Sequence, residues 1–266
     1  MPPALSRRLP LVDLRIENLS HRYGALDVLR GIDLDIPQGR IVSIIGPSGC
    51  GKSTLLRFIG GLEKPTSGAI VQRGQPPVES LNPLTYVFQD FALPPWRTVA
   101  GNVALVLEDH KLGGAEQAAI IADVLARTKL SDFADALPKQ LSGGMKQRVA
   151  IARALAVKPS VMLMDEPLSA LDSQTRELLM DDLIDLWARE RFTAVYVTHN
   201  LAEAVRLGHT IVVLSRRPGE IREIITIDTP LNERERTDPD LVATEARLWD
   251  LMRDEAQAAD QELVHG

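Results

Sequence analysis

Apolar positions along this chain follow three rhythms, and each predicts a different kind of element. From Val12 to Ile36 hydrophobic and polar residues alternate and break at "HRYG" and "LRG", which predicts antiparallel strands. "IVSIIG" (Ile41–Gly46), "VMLMD" (Val161–Asp165) and "TAVYVTH" (Thr193–His199) are short, nearly unbroken apolar runs. Runs of that kind suit parallel strands covered on both faces. "TIVVLS" and "IREIITI" predict two later strands around a turn at "RRPGE". Helical spacing is expected after Lys52, around Ala115–Lys129, from Ser142 to Val157, around Ser173–Glu190 and after Asn200. The helix from Ser142 has a serine to cap it, Lys158 at its end and Pro159 beyond.

The arrangement of these elements predicts an α/β fold: a mainly parallel sheet, an N-terminal antiparallel β subdomain and a helical insertion. Phe91 to Leu141 carries helix signals and no strand signal, so the insertion is placed at about 91–157. Residues 1–12 hold three prolines and little pattern and are expected to form a flexible arm. Residues 228–266 read as a charged helical extension, with Leu241, Leu248 and Met252 roughly on one face.

Composition narrows the function classes. Charged residues at 25% and hydrophobic ones at 45% are ordinary for a globular protein, and a formal charge of −6 argues against a nucleic-acid partner. Cys50 is the only cysteine, which excludes an intrachain disulfide and fits a reducing compartment. The start lacks the apolar stretch of a secretion signal, and no apolar run approaches the ~18 residues of a membrane helix. A cytoplasmic protein is expected, and service to a membrane would require docking on something else.

Gly46-Pro-Ser-Gly-Cys-Gly-Lys-Ser53 is the strongest chemical signal. It satisfies G-x-x-x-x-G-K-[ST], after a predicted strand and before a predicted helix. Its glycines allow backbone N–H groups to turn onto phosphate oxygens, and the helix start adds partial positive charge. Lys52 should reach the β and γ phosphates and Ser53 should ligate Mg²⁺. A chance match in a chain of this length is on the order of one in a hundred. Cys50 lies at the same helix start, where the dipole is expected to favour thiolate.

"VMLMDEP" places an acid at the end of an apolar strand, where Asp165 would hold Mg²⁺ and Glu166 would orient or deprotonate water. Strand alternation would send their side chains opposite ways. Among five histidines only His199 ends a buried strand; the others look like surface or turn positions. Gln89 follows "LTYVF", as polar residues commonly follow strands. "LSGG" (Leu141–Gly144) opens a second glycine-rich helix start with no reactive group. A capped helix describes it, yet leaves two successive glycines unexplained.

Taken in order, the phosphate loop, Gln89, "LSGG", "MDEP", "SALD" and "THN" resemble the ATP-binding subunit of the ABC transporter family. The resemblance covers most of the chain, from about Asp13 to Ile227, with the six motifs in order. The resemblance implies an ABC-type domain over 13–227 that binds ATP and Mg²⁺ between two copies of itself. It implies that Gly46, Pro47, Ser48, Gly49, Cys50, Gly51, Lys52, Ser53 and Thr54 line the phosphates, and that Tyr23 stacks on adenine. Gln89 would sense metal and water, and His199 would contact the γ-phosphate. Ser142, Gly143 and Gly144 would close over the other copy's ATP, with Asp172 communicating across the pair. Met145 stands where many members carry glutamine.

"LSRRPGEI" and "LPPW" resemble bacterial importers of the nitrate, taurine and aliphatic sulfonate group. That implies an integral membrane permease as partner and, indirectly, a periplasmic or lipid-anchored substrate-binding protein. The chain would then sit peripherally on the cytoplasmic face of the inner membrane. Trp96, among prolines, would meet the permease; burial in a core is the commoner fate of tryptophan. A non-transport ABC ATPase acting as a regulatory switch is the alternative, since the charged C-terminal helix would also suit a signalling partner.

Overall fold

The computed structural model describes residues 12–265, so the arm expected at 1–12 lies almost wholly outside the described residues. Two sheets stack with one helix between them. β1 (Asp13–Tyr23), β2 (Leu26–Ile36) and β4 (Ser67–Arg73) form an antiparallel sheet ordered β2-β1-β4. Leu14, Ile16, Ile32, Leu34 and Ile36 face inward by alternation. The alternation slips at Asn18 (φ 44°), where β1 bulges against both neighbours.

The second sheet runs β5 (Leu84–Val87), β6 (Val161–Asp165), β7 (Thr193–Val197), β3 (Ile41–Ile45), β8 (Thr210–Leu214), β9 (Ile221–Thr226). Its strands are parallel except β9, which returns antiparallel along β8. All five residues of β3 and of β7 are buried, because helices or the other sheet cover both faces. α1 (Lys52–Ile59) is sandwiched between the two sheets with Leu55, Leu56 and Phe58. The far face is covered by α2 (Val99–Ala104), α3 (Gly114–Arg127), α4 (Gly143–Ala156) and α5 (Ser173–Glu190). α6 (Leu201–Leu207) and α7 (Pro239–His265) close the β8–β9 end, with Leu241 and Leu248 buried.

Helix starts and stops follow local chemistry. Ser142, Asp172 and Asn200 cap α4, α5 and α6 by accepting from Met145, Thr175 and Glu203 N–H respectively. Past α5, Arg191 takes the left-handed conformation (φ 53°) and lays its guanidinium 4.2 Å over the Trp187 ring. β4 carries no strand signal in sequence: its residues are exposed or half-buried, and pairing with β1 is what makes it a strand.

One histidine expected at a surface or turn position sits in a turn but is buried. His209 is 5% exposed, its Nδ1 accepting from Ile41 N–H at 3.0 Å. Burial first, then nearby Arg40, Arg234 and Arg191, hold its pKa down to about 4. It is a neutral core residue in the turn before β8, not a surface one. Among the described residues no helix is long and apolar enough to cross a membrane.

Candidate nucleotide site

The C-terminal ends of β3, β5, β6, β7 and β8 all reach one edge of the parallel sheet, where crevices of such sheets bind ligands. The phosphate loop leaves β3 there. Gly49 (φ 78°) and Gly51 (φ 105°) take conformations that L side chains rarely adopt, which turns the loop tightly into α1. No side chain caps α1. Its first amides are left for an outside acceptor. Lys52 is 7% exposed and folds back across the loop, Nζ donating to Gly46 O at 2.7 Å and Pro47 O at 3.0 Å. A phosphate entering the loop would replace those carbonyls as the partner of the ammonium.

Cys50 requires a correction. Its side chain is 1% exposed and packs in the core between the sheets, and burial pushes the thiol pKa up. Desolvation of the thiolate outweighs the helix dipole, and the Cys50 N–H donates to Pro47 O at 3.3 Å.

Ser53 and Asp165 meet although 112 residues separate them: Ser53 Oγ donates to Asp165 Oδ1 at 3.0 Å. The other carboxylate oxygen accepts from Tyr86 OH at 3.2 Å. Burial raises the Asp165 pKa against these two hydrogen bonds. A hydroxyl and a carboxylate in contact form a hard-oxygen pair of the kind Mg²⁺ takes, so the residues present fit that ion. Gln89 is exposed just past β5 and has no hydrogen bond to either of them.

Glu166 does not continue the alternation of β6. The strand ends at Asp165, and Glu166 turns left-handed (φ 45°) with its N–H on Val197 O at 2.9 Å. Positive φ at a non-glycine residue costs conformational energy, which the surrounding contacts must offset. The turn carries its carboxylate to β7, where Oε2 accepts from His199 Nδ1 at 2.8 Å. Beneath this pair lies a network that sequence reasoning missed. Buried Glu203 accepts from Tyr196 OH and Thr198 Oγ1, each at 2.8 Å, and pairs with Arg176 Nε at 3.3 Å. Arg176 also donates to Leu171 O at 2.8 Å, tying the loop after Glu166 to the strand end that bears His199. Glu203 sits four residues after His199 as an acid in a helix's first turn, an ordinary surface signal; only burial reveals it.

Tyr23 is 45% exposed beside Thr54, its hydroxyl donating to Glu63 at 2.5 Å, which raises its pKa. Such an exposed ring is free to stack on a base. At the second glycine-rich start, Ser142 Oγ accepts from Met145 N–H at 3.2 Å, and Ser142 and Gly143 are exposed. A Cβ on Gly144 would lie 2.6 Å from Thr175 Cγ2, so close packing of α4 on α5 explains the second glycine. Asp172 spends both oxygens on Thr175, at 2.9 Å to N–H and 2.7 Å to Oγ1, which lowers its pKa. Among the described residues, no hydrogen bond links Ser142–Gly144 or Asp172 to the phosphate loop.

The loop after Gln89 is pinned to α4: Arg153 donates to Ala92 O at 2.6 Å and Phe91 O at 3.2 Å. Trp96 projects from it at 77% exposure, which rules out a core position.

The chain is similar to known proteins over most of its length. Residues 29–169 match the family model described as ABC transporter. The chain is 44% identical over 239 residues to an aliphatic sulfonates import ATP-binding protein of Pseudomonas syringae, covering 89% of this chain and 94% of that one. It is 47% identical over 205 residues to a bicarbonate transport ATP-binding protein of Synechococcus elongatus, covering 76% of this chain but 31% of the longer relative. Among solved structures, the ATP-binding cassette MJ0796, dimeric and bound to ADP and Pi, superposes with TM-score 0.67 at 35% identity, covering 80% and 98%.

Proposed function

Because the chain belongs to the ABC transporter ATP-binding family, we propose that it hydrolyses ATP between two copies of itself to drive import through a membrane permease. The observation that carries this reading is the meeting of Lys52, Ser53, Asp165, Glu166 and His199 at one sheet edge, while Ser142–Gly144 stand apart from it. Half of an ATP site faces outward on each chain, and a second copy would supply the other half.

Bound Mg²⁺, held by Ser53, Asp165 and Gln89, would neutralise charge on the phosphate oxygens. The loop amides and Lys52 hold the phosphates. Glu166 takes a proton from the attacking water, and His199 Nδ1–H holds the Glu166 carboxylate in place. Tyr23 supports the base from the edge of the first sheet. Asp172 sits at the cap of α5, beside the glycine pair of α4, where a neighbouring copy would sense it.

The transported class is a small solute that carries an oxyanion group: nitrate, taurine or an aliphatic sulfonate, in line with relatives named for aliphatic sulfonates and for bicarbonate. The chain would act at the cytoplasmic face of the inner membrane, with a periplasmic or lipid-anchored protein presenting the solute. Trp96 is the docking residue for the permease. Trp96→Ala should melt as the wild type does, within about 0.5 kcal/mol, and lose co-purification with its permease; a large loss of thermal stability would remove that assignment.

The dimer is tested directly. Loss of the base should slow turnover about 10²–10⁴-fold, so Glu166→Gln should run as a monomer alone and as a dimer with ATP. Adding Ser142→Arg should abolish the dimer while each monomer still binds nucleotide. A dimer that survives Ser142→Arg in size-exclusion chromatography would reduce "LSGG" to a helix cap.

A further inference from the structure

The turn from β8 to β9 lies against the outside of the phosphate loop. Gly219 comes so near the loop that a Cβ there would stand 2.2 Å from Cys50 O. Its N–H donates to Val28 O at 2.8 Å and its carbonyl accepts from Arg30 N–H at 3.0 Å, so β2 fastens the turn from one side. Two residues earlier, Arg217 reaches the loop itself: its Nη2 lies 3.1 Å from where a Cβ of Gly49 would be. Arg217 is exposed, and no carboxylate among the described residues pairs with it.

The turn is held from its other side by the C-terminal helix. Glu255 of α7 is 4% exposed. One of its carboxylate oxygens accepts from Arg216 N–H at 2.8 Å, and the other pairs with Arg222 Nη1 at 2.9 Å. A buried carboxylate without such partners would be costly to keep ionised. Here both partners belong to the turn and to the start of β9, and one is the backbone amide directly before Arg217. Ser215 closes the turn from within, its Oγ accepting from Glu220 N–H at 3.0 Å.

We propose that Arg217 is a second cation of the nucleotide site, facing bound phosphate from the rim of the loop, and that Glu255 is the residue that positions it. Lys52 serves the phosphates from inside the loop; Arg217 adds a guanidinium whose planar fork suits phosphate oxygens. An otherwise unpaired guanidinium at that rim raises the local potential for a polyanion. The C-terminal helix thereby becomes part of the ATP site, reaching it through one buried carboxylate. This inference rests on the phosphate-loop reading above.

Equilibrium binding of trinitrophenyl-ATP to the full chain, with Mg²⁺ and with melting curves on the same samples, tests it. Arg217→Ala should weaken binding about three- to tenfold with unchanged melting, and the loss should shrink at high salt. Arg217→Lys should keep most of the affinity, and Arg217→Glu should bind more weakly than Arg217→Ala. Glu255→Gln should also weaken binding, but should add nothing once Arg217 is alanine, as for two residues acting in series. An affinity within twofold of wild type for Arg217→Ala overturns the proposal. Additive losses in the double variant remove Glu255 from it. A wild-type chain that does not bind the analogue, or a Lys52→Ala chain that binds it equally well, would instead defeat the phosphate-loop reading.

Discussion

Two glycine-rich helix starts stand in this chain, and they use glycine for different reasons. At α1 the glycines serve the backbone: Gly49 and Gly51 hold φ of 78° and 105°, and no side chain caps the helix. At α4 they serve packing and exposure. Gly144 is needed because Thr175 of α5 leaves no room for a Cβ, and Ser142 caps the helix in the ordinary way. The first start is therefore open to an anion within one chain, with a lysine folded across it. The second is satisfied at Met145 by Ser142, with Ser142 and Gly143 exposed and Gly144 buried. Motifs that look alike in sequence can thus use glycine for backbone conformation in one place and for helix packing in another; on the function proposed above, the second would find its ligand on another copy.

Removing the cation should separate the two starts most sharply. Lys52→Ala is expected to abolish ATP turnover, because Lys52 is the only cation inside the loop. Unchanged Mg²⁺-ATP hydrolysis in that variant would break the distinction between cradle and capped helix.

A stability measurement probes the other start. Gly144→Ala should destabilise the fold by about 1–3 kcal/mol through overpacking against Thr175. Gly143→Ala should cost less, since its nearest neighbour is the flexible tip of Leu171 at 3.1 Å. Thr175→Ser removes the offending methyl and keeps the hydroxyl that Asp172 accepts, so it should rescue Gly144→Ala in a chemical denaturation series. Equal costs for the two glycines, or no rescue, would mean that Gly144 is not a packing residue.

The smallest effect concerns Cys50. With its thiol buried and its pKa raised, alkylation of the native chain should be slow with or without nucleotide. It should become fast only in denaturant. Rapid native labelling that ATP suppresses would return the thiol to the phosphate side of the loop.

Much of the fold was legible because it is written in local patterns. Continuous apolar runs marked β3, β6 and β7, and Ser142 and Asn200 marked helix starts, since burial on both faces and capping both act within a few residues. β4 was not legible: with its residues at most half-buried, "SGAIVQR" becomes a strand only by pairing with β1. The backbone of the phosphate loop was legible, because glycines at fixed spacing between a strand and a helix act locally; the inward turn of Cys50 and the partner of Ser53 were not.

What the sequence by itself determined, then, is the identity of the chemical groups and the local backbone that carries them. Tertiary structure alone decided which of those groups meet. Ser53 reaches Asp165 across 112 residues and Glu166 turns off its strand to meet His199. His209 and Glu203 are core residues, Cys50 faces inward, and Glu255 holds a turn beside the phosphate loop. The reason is physical: periodicity and dihedral preference are set by near neighbours, whereas burial, desolvation and contact between distant side chains exist only once the sheets and helices have packed.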